Sequence, residues 1–312
     1  MPDTSQTEIE TRRQGARGAL AAGTGYLLWG LSVMFYKQIA QVSPFEILAH
    51  RALWSLLLTS AVILIIRHHT HFIGVLRNPH AMRTLCLSGL IIGSNWTLFI
   101  WAVNSGHILE TSLAYFINPL MSVLVGVIFL KEHITNAQRA AIALAGAGVL
   151  YFTIALGFVP WISLYLAVSF AFYGYLKKML KVDALEGLCV ETMVIAPFGV
   201  GYLIWQSSHG GSAFVADGWY TDLFLMLSGV MTTVPLLLFT YGAQRIHMTT
   251  LGLLQYLVPT TSFSIAVWVY HEPLGMGQLV TFGLIWTGLA IFTFDSWNRE
   301  CIRARLVAST RR

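Results

Sequence analysis

Ten long apolar runs without a charged residue constrain this chain more than any other feature. The runs span residues 19–36, 52–66, 84–103, 111–130, 140–158, 161–176, 192–205, 223–243, 248–270 and 274–294. A helix needs about 20 mostly apolar residues to cross a hydrocarbon layer about 30 Å thick. Because the runs are continuous and lack the alternation of barrel strands, they exclude a transmembrane β-barrel. The sequence therefore predicts an all-α integral membrane protein with ten transmembrane helices.

The scarcity of charge leads to the same conclusion. Only 11% of the 312 residues are charged, whereas an ordinary soluble domain carries roughly 25%. The 14 acidic and 19 basic residues cannot cover the surface of a water-exposed globule of this size. This composition excludes soluble enzymes, disordered proteins and nucleic-acid-binding proteins.

No pattern typical of catalysis or cofactor binding occurs in the chain. The GxSxG, GxxxxGK[ST] and GxGxxG motifs are absent, and the HExxH-like start at His271 has Gly275 in place of the second histidine. The three cysteines show no CxxC spacing. We therefore predict that the protein is not an enzyme and that it carries neither a cofactor nor a metal ion.

Lysine and arginine residues are concentrated in alternate connecting segments. When the ten predicted helices are threaded in order, all 19 bases except Lys37 and Arg51 fall on one side of the membrane. Basic residues are retained on the cytoplasmic side, so both termini are predicted to be cytoplasmic. The predicted outer ends carry an aromatic belt of Trp101, Trp161, Trp205, Trp219 and Trp268. The net charge of +5 therefore reflects membrane topology and predicts no nucleic-acid partner.

An internal repeat of 140 residues relates the two halves of the chain. This offset pairs Lys37 with Lys177, Glu46 with Glu186, Pro119 with Pro259, Glu132 with Glu272 and Gly148 with Gly288. Each copy holds five predicted helices, an odd number, so the second copy must enter the membrane from the opposite side. Inverted repeats are typical of secondary transporters, which bind solutes near the midplane. We predict a cytoplasmic tail at 1–17, five-helix repeats at 18–158 and 159–296 around a central cavity, and a basic cytoplasmic tail at 297–312.

The second predicted helix carries an unusual group of polar residues. Glu46, His50 and Trp54 are spaced four apart and share one face, while Arg51 lies about 100° around the helix from His50. Charge at the membrane centre costs about 2.5–3.5 kcal/mol per residue on insertion scales. These residues therefore face a wet cavity or a partner, or lie at the outer headgroup level. Because Glu191 is the counterpart of Arg51 in the repeat, we predict an Arg51–Glu191 pair that lines or locks the central path.

The candidate cavity residues are polar or aromatic residues in or beside the predicted helices: Trp29, Tyr36, Lys37, His50, Arg51, Asn95, Trp96, Tyr115, Asn118, Tyr173, Thr233 and Gln255. The two bases among them would bind an anionic or zwitterionic group, the amides would donate and accept hydrogen bonds, and the aromatic rings would form apolar walls. The alternative is interhelical hydrogen bonding and core packing.

Two further groups of residues have predicted roles in coupling and in helix geometry. Candidates for coupling or gating are Glu46, Arg51 and Glu191, and His50 joins the two acids as a candidate proton carrier. The helix interiors contain Pro119, Pro235 and Pro259, which predict kinks, either around a binding site or for packing alone.

Two acidic residues, Glu132 and Glu272, follow the fourth and ninth predicted helices at equivalent positions. We predict that their carboxylates cap or anchor the helices that come next.

Several motifs resemble the EamA family of the drug/metabolite transporter superfamily. They include EILAHR at 46–51, SLAYFINP at 112–119, FAFYG at 170–174, TTVPL at 232–236 and TLGLLQY at 250–256. The resemblance covers roughly residues 14 to 298 and implies a bacterial inner-membrane protein with a central cavity between inverted five-helix halves. It also adds Tyr256 to the candidate cavity residues. Members of the family export amino acids, metabolites or drugs, and some are named for chloramphenicol sensitivity.

These observations favour a secondary transporter that exports small organic solutes by alternating access. The alternatives are a channel-like facilitator and a non-transporting membrane sensor or assembly protein. The predicted partners are a small-molecule solute and the lipid bilayer. The sequence specifies no oligomeric state and is compatible with a monomer.

Overall fold

The computed structural model describes residues 4–157, 159–271 and 276–309, and the described part of the chain is helical throughout apart from its connections. The helices are α1 Thr4–Lys37, α2 Pro44–Ile65, α3 His69–Arg77, α4 Pro79–Asn104, α5 Ile108–Phe129, α6 Asn136–Leu156, α7 Trp161–Met179, α8 Ala184–Ser208, α9 Trp219–Ala243, α10 Met248–Leu254, α11 Leu257–Trp268 and α12 Met276–Ser309.

The described part of each of the ten predicted apolar runs lies mainly on these helices, with α10 and α11 sharing one run. Seven stretches are long and apolar enough to cross a membrane: Arg13–Lys37, Pro44–Ile65, Pro79–Val103, Glu110–Phe129, Ala184–Ser208, Trp219–Ala243 and Met248–Trp268. A shorter apolar stretch spans Leu279–Asp295. These helices make the chain an all-α, multi-pass membrane protein.

Local sequence signals begin and end several helices. The side chain of Asn78 accepts hydrogen bonds from the N–H groups of His80 and Ala81 at the start of α4, where Pro79 takes the first helical position. Thr135 and Gln138 form a reciprocal capping box at the start of α6. The α6 helix ends at Gly157, whose φ of 74° lies in the left-handed region that glycine adopts without strain.

Proline explains the division of the ninth predicted segment into α10 and α11. Pro259 has no N–H to donate to the carbonyl of Gln255, and its ring would clash with that carbonyl in a regular helix. The Gln255 carbonyl instead accepts the N–H of Val258 at 3.0 Å. The predicted kink at Pro259 is therefore a helix break. Pro119 and Pro235 lie inside the continuous helices α5 and α9.

An aromatic core joins α1, α7 and α9. The Tyr173 and Phe239 rings stack with centroids 5.9 Å apart, and Trp29 packs edge-on against Phe170 at 6.0 Å. Tyr26, Tyr173 and Phe239 are fully buried. This core occupies much of the space between the three helices and holds two residues predicted to line a cavity, Trp29 and Tyr173.

The contact between α6 and α12 consists of two matching halves. A Cβ atom built on Gly148 would lie 3.2 Å from the carbonyl oxygen of Thr281, and one built on Gly288 would lie 2.8 Å from that of Ala141. Residues 141 and 148 correspond to 281 and 288 at the 140-residue offset. Tyr256 and Phe116 are also 140 positions apart, and the Tyr256 hydroxyl donates to the carbonyl of Phe116 at 3.3 Å.

Candidate functional site

Arg51 lies on α2 and reaches towards α9 and α4. Its Nε–H donates to the hydroxyl oxygen of Thr232 at 2.8 Å. The Thr232 hydroxyl in turn donates to the Ser228 carbonyl one turn earlier, which leaves its oxygen free to accept from Arg51. The guanidinium carbon lies 4.9 Å from the ring centroid of Trp96 and 5.5 Å from that of Tyr36, within the range of cation–π attraction.

Tyr115 on α5 completes this arrangement. It lies within electrostatic range of both Arg51 and Tyr36, and its ring packs edge-on against Phe99 at 5.9 Å. The Tyr115 side chain is 39% exposed. We call Arg51, Tyr36, Trp96, Tyr115 and Thr232 the Arg51 cluster.

The Arg51 guanidinium has no counterion within the described residues. The ion pairs found there involve Lys177, His68 and His247, and none of them includes Arg51. The other four N–H groups of its guanidinium also lack a described hydrogen-bond partner, since the contact with Thr232 uses Nε alone. Such a fork of donors matches the geometry of a carboxylate or phosphate. The cluster can therefore bind an anionic group beside aromatic faces.

The predicted Arg51–Glu191 pair is wrong. Glu191 is fully buried on α8, and its Oε1 lies 2.8 Å from Nζ of Lys177 at the end of α7. Ser88 on α4 donates to the same oxygen, and the Tyr173 hydroxyl donates to Oε2 at 3.2 Å. Arg51 bonds to α9, whereas Glu191 bonds to α7 and to α4, which is the equivalent of α9 in the first half of the chain. The two predicted partners therefore do not contact each other.

The Lys177–Glu191 pair is a site that sequence reasoning missed. Lys177 is 2% exposed, and its ammonium group lies 5.5 Å from the ring of Tyr173. The available signal was its equivalence to Lys37 in the repeat. The concentration of bases in cytoplasmic loops is a sufficient explanation for a lysine at position 177, so the sequence alone does not indicate that its side chain is buried.

Glu46 is an anchor for the segment between α8 and α9. Its buried carboxylate accepts hydrogen bonds from the Gln206 amide at 2.8 Å, the Ser212 hydroxyl at 2.9 Å, and the backbone N–H groups of Ala213 and Phe214 at 2.9 and 3.1 Å. A buried carboxylate that accepts this many hydrogen bonds holds the donor groups in place. These contacts support a structural role for Glu46, and the coupling role stays a prediction.

His50 belongs to the same face of α2 as Glu46. Its Nδ1 accepts the indole N–H of Trp54 at 3.1 Å, and its ring lies 4.8 Å from that of Phe214. The imidazole is buried, and its Nε2 has no partner among the described residues. His50 therefore contacts the segment that Glu46 anchors, whereas Arg51 contacts α9.

Three predicted cavity residues make interhelical hydrogen bonds instead. The Asn95 amide donates to the Leu166 carbonyl at 2.9 Å and to the Ser169 hydroxyl at 2.8 Å on α7. Gln255 accepts from Ser122 at 3.3 Å, and Tyr256 makes the bond to α5 described above. These contacts favour the packing alternative for the three residues.

The remaining predicted residues differ in their surroundings. Lys37 is exposed at the end of α1, with its ammonium group 3.3 Å from the ring centroid of Tyr270. Asn118 and Thr233 each bury a side-chain oxygen that has no hydrogen-bond partner in the described structure. Asn118 lies one helical turn after Tyr115 on α5, so the two share a face.

Glu132 anchors a helix, although a different one from that predicted. Its carboxylate accepts the N–H of Met248 at 2.6 Å and the N–H and hydroxyl of Thr249 at 2.9 and 2.8 Å. It therefore caps α10, where the helix dipole favours negative charge, while α6 is capped by Thr135. Its predicted counterpart Glu272 lies outside the described residues.

A cleft of about 570 Å³ opens at the start of α1 and does not involve the Arg51 cluster. It is lined by Glu10, Gln14, Lys178, Leu180, Lys181, Gln244 and Arg245. None of the predicted cavity residues belongs to this lining.

Comparisons with known proteins give a consistent result over nearly the whole chain. The model of the EamA-like transporter family matches twice, at residues 16–154 and 158–294. The chain is 39% identical over 284 residues to an uncharacterized transporter of Vibrio cholerae, covering 91% of this chain and 94% of the relative. It is 42% identical over 284 residues to Protein RarD of Salmonella typhi, covering 91% and 97% of the two chains. A solved crystal structure with 19% identity matches the fold with a TM-score of 0.69 over 89% of this chain and 97% of that chain.

Proposed function

This chain belongs to the EamA-like transporter family, and we propose that it is a secondary transporter that exports small organic anions or zwitterions across the bacterial inner membrane by alternating access. The family match and the relatives named as transporters support the general activity. The Arg51 cluster supports the class of solute.

The observation that carries the proposal is a guanidinium on a membrane helix without a described counterion. A cation in this position is costly unless it has a partner or faces water. Arg51 has one neutral hydroxyl acceptor and two aromatic faces. A solute carboxylate would supply the missing charge, and the rings of Tyr36, Trp96 and Tyr115 would contact an apolar or aromatic body. The function of the cluster is therefore to bind an acid with an apolar substituent.

Alternating access rests on ten membrane spans that form two inverted halves, residues 18–158 and 159–296. The matched contacts between α6 and α12 support this arrangement, as do the two successive family matches. The carboxylates of Glu46 and Glu186 add support, because both are buried near the start of the second helix of their half. In such an arrangement both termini are cytoplasmic, and the two halves exchange inward-open and outward-open shapes around Arg51.

Exchange of solutes in proteoliposomes tests the proposed function. Purified protein is reconstituted, and uptake of radiolabelled amino acids and aromatic carboxylic acids is measured with and without the same unlabelled solute inside. If the protein is a carrier, uptake should be saturable, and unlabelled solute inside the vesicles should accelerate it several-fold. Uptake driven by membrane potential without acceleration would indicate a channel-like facilitator. An absence of flux for every acid and zwitterion tested would contradict the proposal and favour a sensor or assembly protein.

A further inference from the structure

Three potential metal ligands meet where the α2–α3 corner approaches the start of α8. They are His68, Asp183 and Glu186, and their ligand atoms all lie within 4.8 Å of one another. His68 precedes α3, Asp183 precedes α8, and Glu186 lies in the first turn of α8. His68 lies 115 positions before Asp183, so no local sequence motif predicts the complete group.

The Glu186 carboxylate is buried with an unsatisfied oxygen. The residue is 2% exposed, and its Oε1 has no hydrogen-bond partner among the described residues. The imidazoles of His68 and His71 both lie within electrostatic range of Glu186, and Nδ1 of His68 is 3.6 Å from Oε1, too far for a hydrogen bond. A buried carboxylate oxygen without a donor is destabilising, so this position calls for a positive ligand.

The equivalent carboxylate in the first half of the chain, that of Glu46, has the hydrogen-bond donors that Oε1 of Glu186 lacks. Glu46 precedes Glu186 by 140 residues, and segment 209–218 satisfies its carboxylate with hydroxyl and backbone donors. At Glu186, the equivalent segment begins at the α2–α3 corner and brings the imidazole of His68. Hydrogen-bond donors satisfy the carboxylate of Glu46, whereas the carboxylate of Glu186 faces an imidazole nitrogen, which is a common metal ligand.

We propose that His68, Asp183 and Glu186 bind a divalent transition-metal ion of the Zn²⁺ class. One imidazole nitrogen and two carboxylates form a ligand set that Zn²⁺ accepts, with a water in the fourth position. Tetrahedral Zn²⁺ with bonds of about 2.0–2.2 Å separates its ligand atoms by roughly 3.3–3.6 Å, and Nδ1 and Oε1 are 3.6 Å apart.

The other two ligands of the proposed site are free and accessible. Asp183 occupies the N-cap position of α8 but makes no side-chain capping hydrogen bond, so its carboxylate is available. Asp183 and His68 are exposed, so an ion can enter from solvent. The bound ion would join the α2–α3 corner of the first half to α8 of the second half on the predicted cytoplasmic side.

Thermal unfolding of purified protein, prepared without a polyhistidine tag, tests this site. Micromolar ZnCl₂ is expected to raise the melting temperature of the wild type by several degrees, because an ion that binds only the folded state stabilises it. His68→Ala and Asp183→Asn change exposed residues and should fold normally. Each is expected to weaken Zn²⁺ affinity at least about tenfold, as is Glu186→Gln. Cobalt absorption bands characteristic of tetrahedral coordination should appear in the wild type and disappear in His68→Ala.

His247→Ala is the matched control. The His247 imidazole also lies 3.6 Å from a carboxylate, that of Glu132, but both oxygens of Glu132 already accept hydrogen bonds. This variant is expected to keep the full response to zinc. A wild type that does not respond to Zn²⁺, or an equal response in the wild type, His68→Ala and Asp183→Asn, would overturn the proposal.

Discussion

Arg51→Ala is expected to weaken binding of a transported acid at least about 30-fold, because truncating one partner of a desolvated charge pair costs about 2 kcal/mol or more. Arg51→Lys should give an intermediate affinity, since it keeps the charge but loses the planar fork that can hold both carboxylate oxygens. Equilibrium binding of a radiolabelled acid identified by the exchange assay measures both effects. Arg51 is half-buried, and its only described hydrogen bond goes to Thr232, so both variants should still fold.

Arg139→Ala serves as the control for Arg51→Ala. It removes the same charge from an exposed position at the start of α6, away from the Arg51 cluster, and should bind the acid like the wild type. Wild-type affinity in a well-folded Arg51→Ala protein would contradict the role given to Arg51.

Lys177→Met and Glu191→Gln are each expected to lower the free energy of unfolding by about 3–5 kcal/mol. Removing one member of a buried ion pair leaves the other charge uncompensated in the protein interior. Glu191→Gln should be the milder change, because the remaining carbonyl oxygen can still accept a hydrogen bond from one of the two hydroxyls, that of Ser88 or that of Tyr173. Thermal unfolding in detergent and abundance in the membrane measure both effects.

The double variant Lys177→Met/Glu191→Gln distinguishes an ion pair from two independent contributions. With both charges removed, the loss of stability should be smaller than the sum of the two single losses by at least about 1 kcal/mol, which is the coupling energy of the pair. Lys181→Met, which removes an exposed lysine just beyond the end of α7, should behave like the wild type. A double variant whose loss equals the sum of the single losses would contradict the pairing.

The helical architecture was predictable because membrane helices are specified by composition over about 20 residues. Helix ends were less predictable, since polar residues continue a helix once the apolar part has formed. For this reason α1 already begins at Thr4, well before the apolar run that starts at residue 19. The helix break at Pro259 was foreseen as a kink because proline acts on its own helix. Pro197, also inside a helix, was not foreseen.

The candidate site was only partly predictable, because side-chain partners depend on how helices are rotated. Hydropathy identified Arg51 as an unusual charge within a membrane helix, and in the structure this charge has no counterion among the described residues. Its partner was misassigned because sequence symmetry relates positions but does not bring them into contact. Lys177 was missed because a base at a helix end is normally explained by topology. The amide of Asn95 looked available for a solute, and only the position of α7 shows that packing uses it.

Binding of a carboxylic acid and its uncharged primary amide to the wild-type protein tests the central claim most directly. The two ligands share shape and apolar area, so they differ mainly in the charge that Arg51 would neutralise. Isothermal titration of both should show the acid binding at least about tenfold more tightly, since a charge-assisted contact exceeds a neutral one by about 1.4 kcal/mol or more. Equal affinities, or tighter binding of the amide, would show that the guanidinium of Arg51 does not select the solute.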